Sequence, residues 1–415
     1  MKAIALLAIA ALLAGCGGGP ILANPPAQQP VPTPPPKPSP VVAADPQPIE
    51  FPRDDAPHDR MTEWWYYTGH LVDAEGDGEF GLELVIFRAE RGRFPVTWAS
   101  HLAITDETGG RFTYAQRSEI GPQVDRSTGR GFDFSLAGGG AVPWSMRRGD
   151  GVDRLTARAD ASGTAGDRAS IALDVELRDD AEPVLHDGDG WIDFGPAGGS
   201  YYYSRTRMAA TGTIEVEGAA LDVTGTAWFD HQWGDFIAVG GGGWDWFAVN
   251  LDDGTDLTLS LVRDVDGSYP VVYGTLVEPD GSVRHLPREA FSVGVTGRWR
   301  SPETGADYPA GWRIELPGEG LVIDLAPTVA HQELDTRPTT GVVYWEGSQV
   351  VRATRDGQPL GGEAYVELTG YGAVDSSTGS SGGSTTSASS ASTRAWASRL
   401  VSCARTDSMS CAAAR

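Results

Sequence analysis

The feature that most restricts what this chain can fold into is the spacing of its turns. Between residues 53 and 375, apolar or alternating runs such as "GLELVIF", "SIALDVEL", "DLTLSLV" and "GLVIDLA" are separated by "EGDGE", "ETGG", "LDDGT", "DVDGS" and "EPDGS". Gly and Asp suit tight hairpin turns, because Gly takes positive φ without a steric penalty and Asp bonds its own backbone. No long stretch carries a helical period of apolar residues. The region predicts an all-β fold of barrels or sandwiches, and the 54 Gly in the sequence match that number of turns.

The same region repeats itself. "WWYYTGHL" (64–71) aligns without a gap on "WDWFAVNL" (244–251), and "LELVIFRAE" answers to "LTLSLVRD". "SHLAITDETG" (100–109) matches "GTLVEPDG" (274–281) loosely, and "YYYSRTRMAATG" has a counterpart in "VVYWEGSQVVRAT". Finally "GTAWFDHQWG" (225–234) aligns on "GEAYVELTGY" (362–371). Five matches in one order mark a duplicated β-unit, 53–236 and 237–375. Each unit has enough strands for a small barrel with a ligand in its mouth or lumen.

The two ends differ in kind. "MKAIALLAIAALLAGC" (1–16) has the outline of a secretory signal peptide and is too short for a stable membrane span. Its ending resembles the lipobox of bacterial lipoproteins. That resemblance implies an acylated Cys16 and, with Gly17 rather than Asp next, the outer membrane of a Gram-negative envelope. Residues 17–52 are Pro-rich and predict an extended tether, with a reach at most on the order of 100 Å. Residues 376–415 open on a Ser/Gly-rich stretch that predicts a flexible tail, with Cys403 and Cys411 near its end. The segment 53–375 contains no cysteine, which excludes thiol catalysis there. A formal charge of −24 argues against a nucleic-acid partner, since phosphate binding needs a basic patch.

The duplication also filters candidate site residues. In "GTAWFDHQWGDF", Ala227, Phe229, His231 and Trp233 share one strand face, while Trp228, Asp230 and Gln232 share the other. The second unit has Ala364, Val366 and Leu368 on the first face, so His231 replaces an apolar residue. Asp230 is matched by Glu367, and a shared carboxylate reads most simply as architecture. Glu63 (matched by Gly243), His101 (matched by Thr275) and His58 belong to the first unit alone, whereas Arg88 is matched by Arg263. His231, Glu63, His101 and Asp230 are therefore the candidate acid/base residues. Trp64, Trp65, Tyr66, Trp233, Trp244 and Trp246 are the candidate ligand-binding wall. Each has a plainer alternative: a core histidine bonded to backbone for His101 or His231, a solvated Glu63, a surface His58. No Gly-x-Ser-x-Gly elbow is present. The three His and Glu63 lack local ligand spacing, so no metal and no cofactor is expected.

"PHDRMTEWWYYTGHL", "GTAWFDHQWGDF", "WDWFAVNLDDG" and "GEAYVELTGY" together resemble the carotenoid 1,2-hydratase / AttH-like family, often labelled predicted secreted hydrolases. The resemblance covers nearly all of 53–375. It implies two consecutive lipocalin-like antiparallel β-barrels packed together, with an apolar ligand such as a lipid or isoprenoid. The carotenoid branch adds water to a terminal C=C bond, which needs a protonating acid and aromatic faces around a developing carbocation. For that branch an acid and a Tyr are expected near the second unit's early strands. "DLTLSLVRD" offers Thr258 and Ser260 there, which leaves Asp245, beside Trp244 and Trp246, as an acid. Two readings stay open: water addition or hydrolysis by acid/base chemistry, or a non-catalytic lipid-binding or envelope scaffold protein.

Overall fold

The computed structural model describes residues 44–140, 142–163, 168–179, 181–236 and 241–372. Cys16, most of the Pro-rich stretch, and the tail with Cys403 and Cys411 lie outside the described residues. Among the described residues there are strands and single 3₁₀ turns but no α-helix.

Eight long strands form the first unit: β1 (Thr62–Asp73), β2 (Glu79–Ala89), β3 (Thr97–Asp106), β4 (Arg111–Ile120), β5 (Val152–Gly163), β6 (Arg168–Arg178), β7 (Gly199–Val216) and β8 (Ala219–Gly234). Each pairs antiparallel with the next, and β8 pairs back onto β1, so the sheet closes on itself. Closure removes exposed sheet edges along the ring. The second unit runs β9 (Gly241–Leu251), β10 (Asp256–Asp264), β11 (Val271–Val277), β12 (Val283–Pro287), β13 (Ser292–Val295), β14 (Trp312–Leu316), β15 (Leu321–Pro327), β16 (Val343–Arg355) and β17 (Gly362–Thr369). Its order is β12-β11-β10-β9-β17-β16-β15-β14-β13, an up-and-down sheet whose ladder stays open between β12 and β13.

β1 reads as almost unbroken apolar sequence because both its faces are covered. Trp65, Tyr67 and Leu71 enter the core of the first barrel. Trp64 and Tyr66 point the other way, against Trp244 and Trp246 of the second. The lumens themselves are full. Trp65, Trp98, Trp144, Phe132, Phe134 and Phe229 are among the most deeply buried side chains of the first barrel, and Trp312 and Trp345 fill the second. Each such side chain contributes on the order of 1.5–3 kcal/mol by burial. Of the two places the sequence allows for a ligand, barrel mouth or lumen, the lumens are packed with side chains.

The folded body also begins earlier than residue 53. The compact unit starts at Pro48. Ile49 packs on the first core, and Phe51 sets its ring edge-on to Tyr203 at 4.8 Å. Two large apolar side chains inside a Pro-rich stretch are the physical reason that its last residues dock.

Candidate active site between the barrels

β8 delivers its two faces to two different places. On the inner face, His231 and Glu63 meet inside the first barrel with no solvent exposure (0% each). Glu63 Oε1 accepts from His231 Nε2 at 2.9 Å and from His58 Nδ1 at 2.7 Å, while the His58 backbone N–H donates to Oε2 at 2.9 Å. Trp65 stacks on the His231 ring at 4.7 Å, and His58 lies flat on Trp233 at 4.1 Å. Burial alone would raise the Glu63 pKa, but the two histidine hydrogen bonds outweigh it and hold it below the ordinary value. Burial lowers the His231 pKa despite Glu63. For His58, burial opposes the charge, but Asp54 and Glu63 overcome it and raise the pKa. The shifts favour the charged forms of Glu63 and His58 and the neutral form of His231.

These three residues, and Glu303, His331 and Glu333 in the second unit, bring ligand atoms within 4.8 Å of one another. In both groups the buried carboxylate already accepts several hydrogen bonds. A cation at Glu63 would displace both histidine contacts, and at Glu333 it would displace those from Ser301, Thr304 and Tyr308.

The outer face of β8 opens on a cleft between the two barrels. Its inner limb, about 80 Å³, is lined by Trp64, Tyr66, Trp246 and Tyr202 and by the carboxyl groups of Glu83, Asp230 and Glu367. An outer chamber of about 490 Å³ adjoins it. The two share Phe87, Trp244, Tyr344 and Glu367 as walls. Asp230 Oδ2 accepts from Tyr202 at 2.5 Å, and Asp230 Oδ1 accepts from Trp228 Nε1 at 2.7 Å and from the Ser204 hydroxyl. Trp244 Nε1 donates to Glu367 at 2.8 Å, Tyr66 donates to Glu346 at 2.6 Å, and Tyr344 Oη lies 2.7 Å from Glu83 Oε1. Glu83 Oε2 and Glu346 Oε2 are buried with no hydrogen-bond partner.

Burial in this apolar setting drives every one of these acids upward. Asp230 rises to about 6, held there by its three donors. Glu367 rises to about 7, through burial and then the nearby Asp230, against the hydrogen bond from Trp244. Glu83 rises to about 8, through burial and, more weakly, the charge of Glu367, against the hydrogen bond from Tyr344. Glu346 is raised strongly by burial and by Glu83 and Glu367.

Stability inherits these shifts. A group with a raised folded pKa stabilises the fold at low pH and withdraws that stabilisation as pH climbs toward the folded value. Glu83, Glu346 and Glu367 act in this sense, as do His58 and His70. His101, His186 and His231, with lowered values, act oppositely, but mainly below the ordinary histidine pKa of ~6.5. Tm is therefore expected to fall between about pH 6.5 and 8, and to fall less in Glu83→Gln. Differential scanning calorimetry across that window checks it, and a flat or rising Tm counts against the buried acids.

The candidate residues of the sequence thus separate. His231, Trp65 and Trp233 belong to the barrel interior, Glu63 bonds His231 there and also borders the outer chamber, and Asp230, Trp64, Tyr66, Trp244 and Trp246 belong to the cleft. His101 joins neither Glu63 nor His231: it packs with Tyr344, 2.7 Å from the phenol oxygen. Its counterpart is also not Thr275. Val85 pairs with His101 and Ser260 with Tyr273, so His101 corresponds to Tyr273, two residues earlier. The turns "DETGG" and "EPDGS" align well but follow strands of different length. His58 is only partly exposed (20%) and tied to Glu63, not a surface residue. Asp245, offered as a spare acid, is paired with Arg263 at 2.8 Å.

The sequence does not single out Glu83, Glu346, Tyr202 or Tyr344, and it reads the match of Asp230 with Glu367 as architecture. The structure places both matched carboxylates on the cleft. Asp230 registers with Tyr66 and Ser204, and Glu367 registers with Trp246 and Glu346. Duplicated positions face each other across the inter-barrel contact, so a carboxylate present in both units converges on one site. The signal was the match itself. Glu63 has no counterpart because Gly243 sits at φ +94°, where a Cβ would lie 2.3 Å from the Thr369 carbonyl.

Two packed lipocalin-like up-and-down sheets with an acid-lined cleft between them define the class of protein. The chain belongs to the AttH-like family, whose model matches residues 42–371. An AttH protein from Nitrosomonas europaea is similar at 31% identity, with 80% of this chain and 99% of that one covered and a TM-score of 0.68. Kievitone hydratase from Nectria haematococca shares the fold at 15% identity, with 78% and 93% covered and a TM-score of 0.59. Comparison with the curated proteins gave no match.

Proposed function

We propose that this protein binds an apolar small molecule, a lipid or an isoprenoid, in the inter-barrel cleft and adds water across one of its C=C bonds. The observation that carries this reading is the convergence of the carboxyl groups of Glu83, Asp230 and Glu367 on one aromatic cleft. Near neutral pH Glu83 holds its proton and Asp230 is largely ionised. Carboxyls pushed apart in this way divide into acid and base. Glu83 transfers its proton to one alkene carbon, and the π electrons form the new C–H bond. The cation left on the neighbouring carbon lies among the rings of Trp64, Tyr66 and Trp246, whose faces attract positive charge. A water oxygen bonds to that carbon and releases its proton to Asp230. The structural likeness to a hydratase is consistent with this assignment.

The test begins with native mass spectrometry and lipid extraction of the protein purified from its host. The co-purified molecule and a panel of isoprenoids with terminal C=C bonds are then incubated in ¹⁸O-water. Label in an alcohol product that depends on Glu83 supports water addition. An unlabelled but tightly held ligand points to a binding protein, and an empty protein that ignores the panel points to a scaffold.

The reading extends to the N-terminus, where Cys16 is proposed to carry lipid and hold the protein at the outer membrane. Labelling with an alkyne analogue of palmitate is expected in the intact chain and lost in Cys16→Ala. Equal labelling of both would remove the anchor.

A further inference from the structure

The hydrogen bonds running outward from Glu83 have a direction that can be worked out. Gln116 Nε2 donates to the Asp335 carbonyl at 2.7 Å, which fixes the amide and leaves Oε1 as an acceptor. That oxygen takes the proton of Thr339 Oγ1, 2.7 Å away. Thr339 Oγ1 has spent its only proton, so at 3.1 Å it accepts from His101 Nε2. His101 is fully buried, and burial lowers its pKa to about 3, so the ring is neutral and carries one N–H. With that proton on Nε2, Nδ1 is an acceptor and takes the proton of Tyr344 Oη at 2.7 Å. Toward an ionised Glu83 the phenol would donate to Oε1, 2.7 Å away; with its proton directed at His101 it turns lone pairs there instead. A carboxylate there would face oxygen lone pairs with no proton between them.

We infer that His101 is a positioning residue: through Tyr344 it compels Glu83 to be the hydrogen-bond donor and so stores the proton on this carboxyl group. The inference rests on the reading of Glu83 as the proton donor for water addition. Glu346 and Glu367, with the phenols of Tyr66, Tyr344 and Tyr365, are the other titratable groups around Glu83. Each is itself shifted upward, so none supplies a cation to offset a charge on it. The role also gives a function to a side chain that the duplication filter singles out.

Two measurements on the full chain without substrate decide it. Nitrogen-15 NMR of histidine-labelled protein is expected to show His101 as the Nε2–H tautomer, with the signal assigned by His101→Asn. An Nδ1–H tautomer or a charged ring overturns the inference. Infrared spectroscopy is expected to show a protonated-carboxyl band near neutral pH that Glu83→Gln removes. In His101→Leu the Tyr344 proton is freed to turn to Glu83, and the midpoint of that band should drop by more than about one pH unit. His101→Asn, whose Oδ1 takes the place of Nδ1, should restore it. An unchanged midpoint in His101→Leu, or no band assignable to Glu83, overturns the inference. Neither readout uses turnover, so a failure here is separable from a failure of water addition, which Glu83→Gln tests by rate.

Discussion

Glu83→Gln is expected to lower kcat about 10²- to 10⁴-fold, the usual worth of a positioned general acid. Gln keeps the shape of the side chain and can still bond to Tyr344 Oη, but it has no acidic proton. Ligand affinity should change little, because the aromatic wall and the outer chamber are untouched. Folding stability should hold or rise, since the substitution removes a buried group that ionisation penalises. The wild-type rate profile should carry the same signature. Activity requires Asp230 ionised and Glu83 protonated, so it is expected to decline below about pH 6 and above about pH 8. In Glu83→Gln the alkaline limb should vanish from the residual rate. Stopped assays of the ¹⁸O-labelled product over pH 5 to 9 read both effects, with roughly unit-wide limbs expected for single groups. A variant that keeps full rate would move the proton donor to Glu367 or out of the cleft.

Much of this architecture was legible in the sequence, and the reasons are local. Asp/Gly turns between alternating runs specified hairpins, and hairpins in sequence order specify up-and-down sheets, which is how β1 to β8 and β9 to β17 pair. The face argument for β8 also held: Phe229, His231 and Trp233 go inward, while Trp228 and Asp230 go outward. The site was less legible because it depends on how two sheets meet. Tyr66 and Glu346 are 280 positions apart and touch only once the barrels pack. "LELVIF" carries Glu83 at what looks like the solvent side of a half-exposed strand. Nothing in that run says that a second barrel covers it. Glu63 and His231, peculiar to one unit, bond each other in the first barrel, while the matched carboxylates Asp230 and Glu367 line the cleft with Glu83, which is matched by Thr258. His101, also peculiar to its position, lines the outer chamber and bonds Tyr344.

His231→Ala is expected to destabilise the fold by about 2–5 kcal/mol, the range for truncating a large buried side chain that also hydrogen-bonds a buried carboxylate. The loss has two parts. Glu63 keeps His58 but loses its second histidine donor, and the space between Trp65 and Trp233 is left as a cavity in a packed lumen. His231→Leu should cost less, because it fills the volume as Leu368 does at the matching position of the second unit. A double-mutant cycle with Glu63→Gln should return a coupling of roughly 1–3 kcal/mol, since the two share a hydrogen bond. Urea unfolding with linear extrapolation gives all of these values. The decisive comparison is with rate. Had His231 been the acid/base residue that the sequence offered, its loss would abolish turnover in a stable protein. Its place inside the sealed barrel reverses the expectation: the folded fraction of His231→Ala should turn over at close to the wild-type rate, while Glu83→Gln stays folded and slow. A stable, inactive His231→Ala would return the chemistry to the barrel interior and empty the cleft of its proposed role.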